Sequence, residues 1–562
     1  MPIMTGSKFI AETLKGYGVS TIFFVPAILR GVLVEAEKLG IKRVLCHSEK
    51  AAAYMADGYA RASYGPGISM AQSVGAANLA AGLQDAYLAL SPVIAITGRL
   101  PPYYRYRHAY QEIDHWPLFE PVTKYNAFVD EVDQLPVMLR QAFREAISGA
   151  PGPVHLELLG FQGEMVADAE ADLEVIIEEA FTHCPPFRTE PETELVKQAT
   201  ALLAQAERPV IVAGGGVAAS HASSEIVKLA EMLSIPVATS LNGKGSIPEN
   251  HRLSVGVVGT YSRWCANQIV SEADLVLFVG SHTGGQVSHF WQVPKCGTAT
   301  IQIDINPSSI GRNYPTQLAM LGDAKVSVQR LIEAIALTPA PTVGRNTWTG
   351  RVSQLVAQWR KELEPLFNSE SSPIRPERLC KEIRDFLPSD AVLVSDTGHA
   401  GIWSGTMIDL ETPGQRYLRC AGSLGWGFPA ALGAKCAVPE RPVICFTGDG
   451  GFWYHLSELE TALRCGINTV TVINNNHSLN QDKAGVDLAY GDAATGNREE
   501  LWVFENADFS KIAQSMGGFG VRVERPGDIQ TALEQALASG KPSVVDISSD
   551  INAFAPLPHV PD

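Results

Sequence analysis

Two short stretches carry residue types that could do chemistry together. One is Thr447-Gly448-Asp449-Gly450-Gly451, and the other is Asn474-Asn475-Asn476-His477-Ser478. Asp449 and Asn476 are 476 − 449 = 27 positions apart. A hard divalent cation such as Mg²⁺ takes oxygen ligands and leaves several of its places to water and phosphate oxygens. One carboxylate, one amide oxygen and one backbone carbonyl therefore suit a Mg²⁺–diphosphate complex. Gly448, Gly450 and Gly451 would let the backbone come close to such a group. Alone, a Gly-Asp-Gly segment is more simply a turn; the asparagine run supplies the second set of oxygen ligands.

The flanking residues say how these groups are positioned. Residues 442–446 form a short apolar run that reads as a buried strand, and 470–473 form another. Between them Phe452, Leu456, Leu459, Ala462 and Leu463 recur near helical spacing, predicting one helix over 452–465. The resulting βαβ unit puts Asp449 and Asn475/Asn476 at the carboxyl ends of neighbouring parallel strands, where open α/β sheets bind ligands. The same alternation recurs earlier. Strands are predicted at 21–25, 43–47, 68–71 and 93–97, with a small-residue helix over 49–61 that opens on Glu49. Further strands are predicted at 209–213, 236–239, 275–279 and 300–304. The expected fold is α/β, with three doubly wound parallel-sheet domains over residues 1–165, 190–340 and 376–550. The intervening stretches, 166–190 and 338–375, are rich in acids, Pro or Ser and read as linkers.

The 562 residues fit roughly three or four domains. A net charge of −16 argues against nucleic acid or an anionic membrane as a partner. No apolar run approaches the ~20 residues that span a bilayer. The first residues lack a basic segment followed by an apolar one, so secretion is not expected. Nine scattered cysteines without a Cys-x-x-Cys pair suggest neither zinc site nor disulfide framework, and a cytoplasmic location is the expectation. P-loop, His-Glu-x-x-His and nucleophile-elbow patterns are absent. Gly214-Gly215-Gly216 after a strand lacks the full spaced-glycine fingerprint, so close packing is the simpler reading beside a nucleotide or flavin site.

Four segments together resemble the thiamine-diphosphate-dependent enzymes of the acetolactate synthase, pyruvate oxidase and benzoylformate decarboxylase type. They are residues 49–61; Gly75-Ala76-Ala77-Asn78-Leu79 leading to Asp85-Ala86-Tyr87; Thr97-Gly98; and Gly448-Asp449-Gly450 with Asn475-Asn476. The resemblance implies that Asp449, Asn476 and the backbone oxygen of Ser478 hold Mg²⁺, which bridges to the cofactor diphosphate. It implies that Gly398, His399 and Ala400 touch the diphosphate, beside Gly448, Gly450 and Gly451. Leu424, in Gly422-Ser423-Leu424-Gly425, matches the apolar residue that props the cofactor into a bent shape. Glu49 matches the glutamate that bonds the aminopyrimidine ring and comes from a neighbouring subunit, so a homodimer or homotetramer is implied. A carboxyl taken out of water holds its proton more readily and could share it with the ring nitrogen. Tyr110-Gln111-Glu112 resembles the Phe-Gln-Glu of acetolactate synthases, which makes Gln111 a substrate-facing donor.

The chain also departs from the pattern. Val25-Pro26-Ala27-Ile28 offers no proton at a corner where many relatives carry an acid or histidine, which disfavours the decarboxylases that need one. Gly280-Ser281-His282 stands where flavin-binding relatives have an arginine, so FAD stays open but unsupported. Residues 103–108, Tyr-Tyr-Arg-Tyr-Arg-His, would suit an anionic or aromatic substrate or form an exposed loop. The leading expectation is cleavage of a 2-oxo acid or related dicarbonyl with ligation to a second carbonyl. The alternatives are 2-oxoacid decarboxylation or C–C hydrolysis without ligation, and a catalytically silent homologue. Residues 479–497 read as a mobile flap.

Overall fold

Apolar runs bounded by Gly, Pro and Asn become the buried central strands of parallel sheets, such as Gly67–Ala71, Val93–Arg99, Leu275–Val279 and Val470–Asn475, as expected when helices cover both faces of a sheet. The computed structural model describes residues 3–337, 345–491 and 496–561. It contains three six-stranded parallel sheets. The first runs, in spatial order, Lys42–Leu45, Thr21–Phe24, Gly67–Ala71, Val93–Arg99, Val154–Leu159 and Tyr125–Val129. The third runs Arg416–Arg419, Val392–Ser395, Val443–Gly448, Val470–Asn475, Ser543–Ser548 and Phe519–Val523. Numbered within each sheet, both outer orders are 2-1-3-4-6-5, although the two halves share no evident sequence repeat. The middle sheet is 3-2-1-4-5-6, the order of doubly wound dinucleotide-binding folds. In each outer sheet the order reverses between the first and third strands, which puts a ligand crevice at their carboxyl ends.

Four local expectations differ in detail from the structure. The helix expected over 452–465 is two helices, Asp449–Trp453 and Glu458–Cys465, so Asp449 opens a short helix rather than lying in a turn. The linker expected over 338–375 contains the helix Arg345–Phe367; part of that linker, 338–344, lies outside the described residues. Trp348, Val352, Leu355, Trp359, Leu363 and Phe367 recur every three or four positions and are all buried. Within 166–190, Glu170–Asp172 pairs antiparallel with Ile3–Thr5. The flap expected over 479–497 includes the helix Lys483–Tyr490, and its residues 492–495 lie outside the described residues.

The outer domains of the one chain meet through helices Glu49–Ser63 and Gly427–Ala437. Both are buried almost throughout and rich in alanine and glycine, so their backbones touch. A Cβ on Gly433 would lie 1.8 Å from the Met55 carbonyl oxygen, and one on Gly58 would lie 2.0 Å from that of Ala430. Backbone cannot yield as a side chain would. Gly433→Ala is therefore expected to destabilise the protein by about 3 kcal/mol or more, read by denaturant unfolding. Stability equal to wild type would refute this packing.

Candidate active site

Gly448 pairs in register with Asn474, so Asp449 and Asn476 leave adjacent strands at one level. Asp449 is 1% exposed, and its Oδ2 is buried with no hydrogen-bond partner. Burial pushes its carboxyl up to about 7, against the opposing pull of backbone N–H groups that include those of Asn476 and Ser478. Ser478 Oγ donates to Asn476 Oδ1 at 3.0 Å, and His477 between them takes a left-handed φ of 48°. Asn475 points away, donating to Asp546 Oδ1 at 2.8 Å and to the Ala507 carbonyl. Strand alternation thus leaves Asn476, not Asn475, beside Asp449.

The residues fit a Mg²⁺–diphosphate group on two counts. A buried carboxylate oxygen without a partner is a costly arrangement unless something charged meets it. Gly448 has φ −79°, and no protein atom lies within 4 Å of where its Cβ would be. Neither backbone conformation nor a protein neighbour requires glycine there, and the free space suits a bound group. Gly422 likewise has nothing within 4 Å of its Cβ position. At Gly450 and Gly451 the Cβ positions lie 2.5 Å from Leu479 Cδ2 and 2.9 Å from Thr447 Oγ1.

Across the crevice, Gly398 (φ 67°) opens the helix His399–Met407, which buries Ala400. The half-buried His399 ring pairs through Nδ1 with Asn480 Oδ1 at 2.8 Å, and burial lowers its pKa. Leu424 is half-buried at the end of the 420–423 loop.

Three polar residues that hold these parts were given no role from the sequence, although Asp85 stands in one of the four resembling segments. Asn480 Nδ2 donates to the carbonyls of Ile551 and Ala553, anchoring the partner of His399 to the C-terminal segment. Asp85 accepts from the backbone of the loop that precedes Leu424. Asp396, wholly buried, accepts N–H bonds from Thr397 (2.7 Å), Gly425 (3.1 Å) and Gly427 (2.9 Å). Burial raises the Asp396 carboxyl from 3.8 to about 6 despite those donors. A folded-state pKa above the unfolded value stabilises fully below pH about 4, and that stability is lost as the pH rises through about 6. The cofactor-free protein should therefore lose stability between pH 4.5 and 7, and Asp396→Asn should flatten that slope in thermal melts. An unchanged slope would contradict the burial argument.

The other candidate catalytic residues lie at the carboxyl edge of the first sheet. Glu49 opens its helix, is partly exposed in the single chain, and accepts from Asn78 Nδ2 at 3.2 Å. Its Oε1 lies so close to Gly75 that a Cβ there would come within 2.5 Å. Gln111, at φ 58°, folds over the same turn: its carbonyl accepts from Ser73 Oγ and its Oε1 from the Val74 N–H. Glu49 and Gln111 thus converge on residues 73–75. The aromatic loop before Gln111 is exposed, with Tyr106 at 95% and Tyr110 at 80%. Glu112 pins it by accepting from the N–H groups of Tyr106 and Ala109. At the corner after the first strand, Ile28 is fully buried in the core, while Pro26 is exposed and Ala27 (φ 71°) partly exposed.

In the middle domain the Gly214–Gly216 stretch packs on backbone. A Cβ on Gly214 would lie 2.1 Å from the Gly280 carbonyl oxygen, which accounts for that glycine without a nucleotide. Among the described residues there is no cluster of three His, Cys, Asp or Glu fit for a metal, and no helix long and apolar enough to cross a membrane.

Two outer sheets of one order, each with polar groups at its switch point, around a middle domain match a known family. The N-terminal TPP binding domain of thiamine pyrophosphate enzymes matches residues 4–118, their central domain 196–331, and their C-terminal TPP binding domain 396–547. The chain belongs to the thiamine pyrophosphate enzymes. It is 35% identical to a probable acetolactate synthase large subunit of Methanocaldococcus jannaschii, with 99% of this chain and 94% of the relative aligned. It is 32% identical to one from Methanococcus aeolicus, over 97% of this chain and 92% of that one. It is 29% identical to the acetolactate synthase isozyme 3 large subunit of Escherichia coli, over 96% and 93%. Within the family it stands with the enzymes of acetolactate synthase type.

Proposed function

We propose that this chain binds thiamine diphosphate with Mg²⁺, cleaves a 2-oxo acid or related dicarbonyl, and joins the retained fragment to a second carbonyl. The observation that carries the reading is the buried, unpartnered Asp449 oxygen beside Asn476 and the free space at Gly448. When bound, the cofactor supplies a nucleophilic carbon and an electron sink for breaking the C–C bond. Asp449, the Asn476 amide oxygen and the Ser478 carbonyl would hold the metal. Gly398, His399, Ala400 and Gly422 would line the diphosphate. Leu424 would keep the cofactor bent, and Glu49 would hold a proton at the ring nitrogen, supplied to a neighbouring subunit's site. Gln111 would hydrogen-bond the substrate. Ligation is favoured over release because Ala27 offers no proton to end the reaction early.

Incubation with thiamine diphosphate, Mg²⁺ and a panel of 2-oxo acids and 1,2-diones, with products resolved by mass spectrometry, tests this. A product that joins two carbonyl fragments is expected. Aldehyde or acid alone would replace ligation by decarboxylation or hydrolysis, and full cofactor binding without turnover would mark a silent homologue. A purified protein with flavin absorbance would establish FAD in the middle domain.

A further inference from the structure

We propose that Asp85 is a positioning residue that sets the placement of Leu424 from the N-terminal domain of the same chain. The inference rests on reading the Leu424 loop as cofactor-binding. Asp85 is wholly buried on the helix Ala76–Leu88, yet the groups it holds belong to the C-terminal domain. Its carboxylate accepts from three successive backbone N–H groups: Ala421 at 2.8 Å, Gly422 at 3.2 Å and Ser423 at 3.0 Å. Successive N–H groups turned to one point form a concavity for an anion. Here the anion is a side chain. The Cys420 thiol closes the loop on itself, lying 3.3 Å from Asp85 Oδ2 and 3.0 Å from the Ser423 carbonyl, and accepting from the Gly422 N–H.

Charge balance makes this grip specific. Arg61 is bonded twice by Asp57, at 2.7 and 2.6 Å, and meets Asp85 at 3.3 Å. Two buried carboxylates share one guanidinium, so one negative charge is left for the loop N–H groups to meet. Arg61 also donates to the Arg419 carbonyl at 2.6 Å, and Trp426 Nε1 donates to Asp57 at 2.8 Å. On the far side of Leu424, Asp396 holds the N–H groups of Gly425 and Gly427. Leu424 therefore sits between two carboxylate grips, Asp85 behind it and Asp396 ahead. If it bends the cofactor, loosening the first grip slows loss of the cofactor's C2 proton even at full occupancy.

The test uses the full chain saturated with thiamine diphosphate and Mg²⁺, with C2-proton exchange into D₂O followed by NMR after acid quench. Asp85→Asn removes the surplus charge while Arg61 keeps Asp57, and exchange should slow at least tenfold with the cofactor still bound. Leu424→Ala should slow it too, and the double variant should be no slower than the slower single one. Cys420→Ala, which leaves every charge in place, should slow exchange several-fold; it decides the matter if Asp85→Asn does not fold. Wild-type exchange in the folded Asp85 variant, or in Cys420→Ala where that must stand in, overturns the proposal, as does additive slowing in the double variant. A wild-type chain that binds no thiamine diphosphate refutes the cofactor reading and this inference with it.

Discussion

Replacing Glu49 by glutamine is expected to lower kcat by roughly 10²–10⁴-fold, the span of a lost general acid–base group, while thiamine diphosphate affinity stays within about tenfold. The geometry explains the split. Glutamine has the shape of glutamate, so it still fits over Gly75, where a Cβ would come within 2.5 Å of the Glu49 carboxylate, and still meets Asn78. What it lacks is a carboxyl that can hold and release a proton. Calorimetric titration of cofactor and steady-state turnover on the best substrate of the panel measure the two effects separately. Comparable losses in both would make Glu49 a binding residue only, and near-normal turnover would remove it from the chemistry. Glu49→Asp, which keeps the carboxyl but shortens the reach, should fall between the two.

How much of this was legible in the sequence depends on whether a group's partners lie near it along the chain. Asp449 and Asn476 end adjacent strands joined by one crossover, so apolar runs and turn residues were enough to bring them together. Glu49 opens a helix whose alanines and glycines advertise close packing. Asp85 stood in a segment the sequence singled out, but nothing there showed what it or Asp396 holds. Asp85 bonds the Ala421 N–H 336 positions away, and backbone donors have no residue signature. Strand alternation did contain the distinction between Asn475 and Asn476, because neighbouring residues face opposite sides of a sheet. The helix Arg345–Phe367 was legible too, in tryptophans, leucines and phenylalanine at helical spacing, but the Pro and Ser residues at the ends of that stretch pointed to a linker. The identical order of the outer sheets was not legible, since equal topology needs equal burial patterns rather than equal residues.

Asp449→Asn should make the empty protein more stable and the loaded protein less so. In the ligand-free chain burial raises the Asp449 carboxyl from 3.8 to about 7. Because the folded-state value is the higher one, its contribution is complete below pH about 4 and lost as the pH rises through about 7. At pH 8 the wild type therefore bears a buried charge with one oxygen unpartnered, a penalty on the order of 4 kcal/mol. Asparagine avoids it. Its oxygen can face the N–H groups of Asn476 and Ser478, and its NH₂ can take the unpartnered position, so no donor is set against another. The empty variant should accordingly melt several degrees above wild type at pH 8, and the two should converge in acid. Mg²⁺ and thiamine diphosphate reverse the ranking. A ligand that binds only the folded state stabilises it by RT ln(1 + [L]/Kd), and without the carboxylate that gain should nearly vanish. Thermal melts with and without Mg²⁺ and cofactor, backed by calorimetry, would show the crossing. A variant that is less stable when empty, or that keeps the full ligand-induced rise, would show that Asp449 is held for packing rather than for a cation.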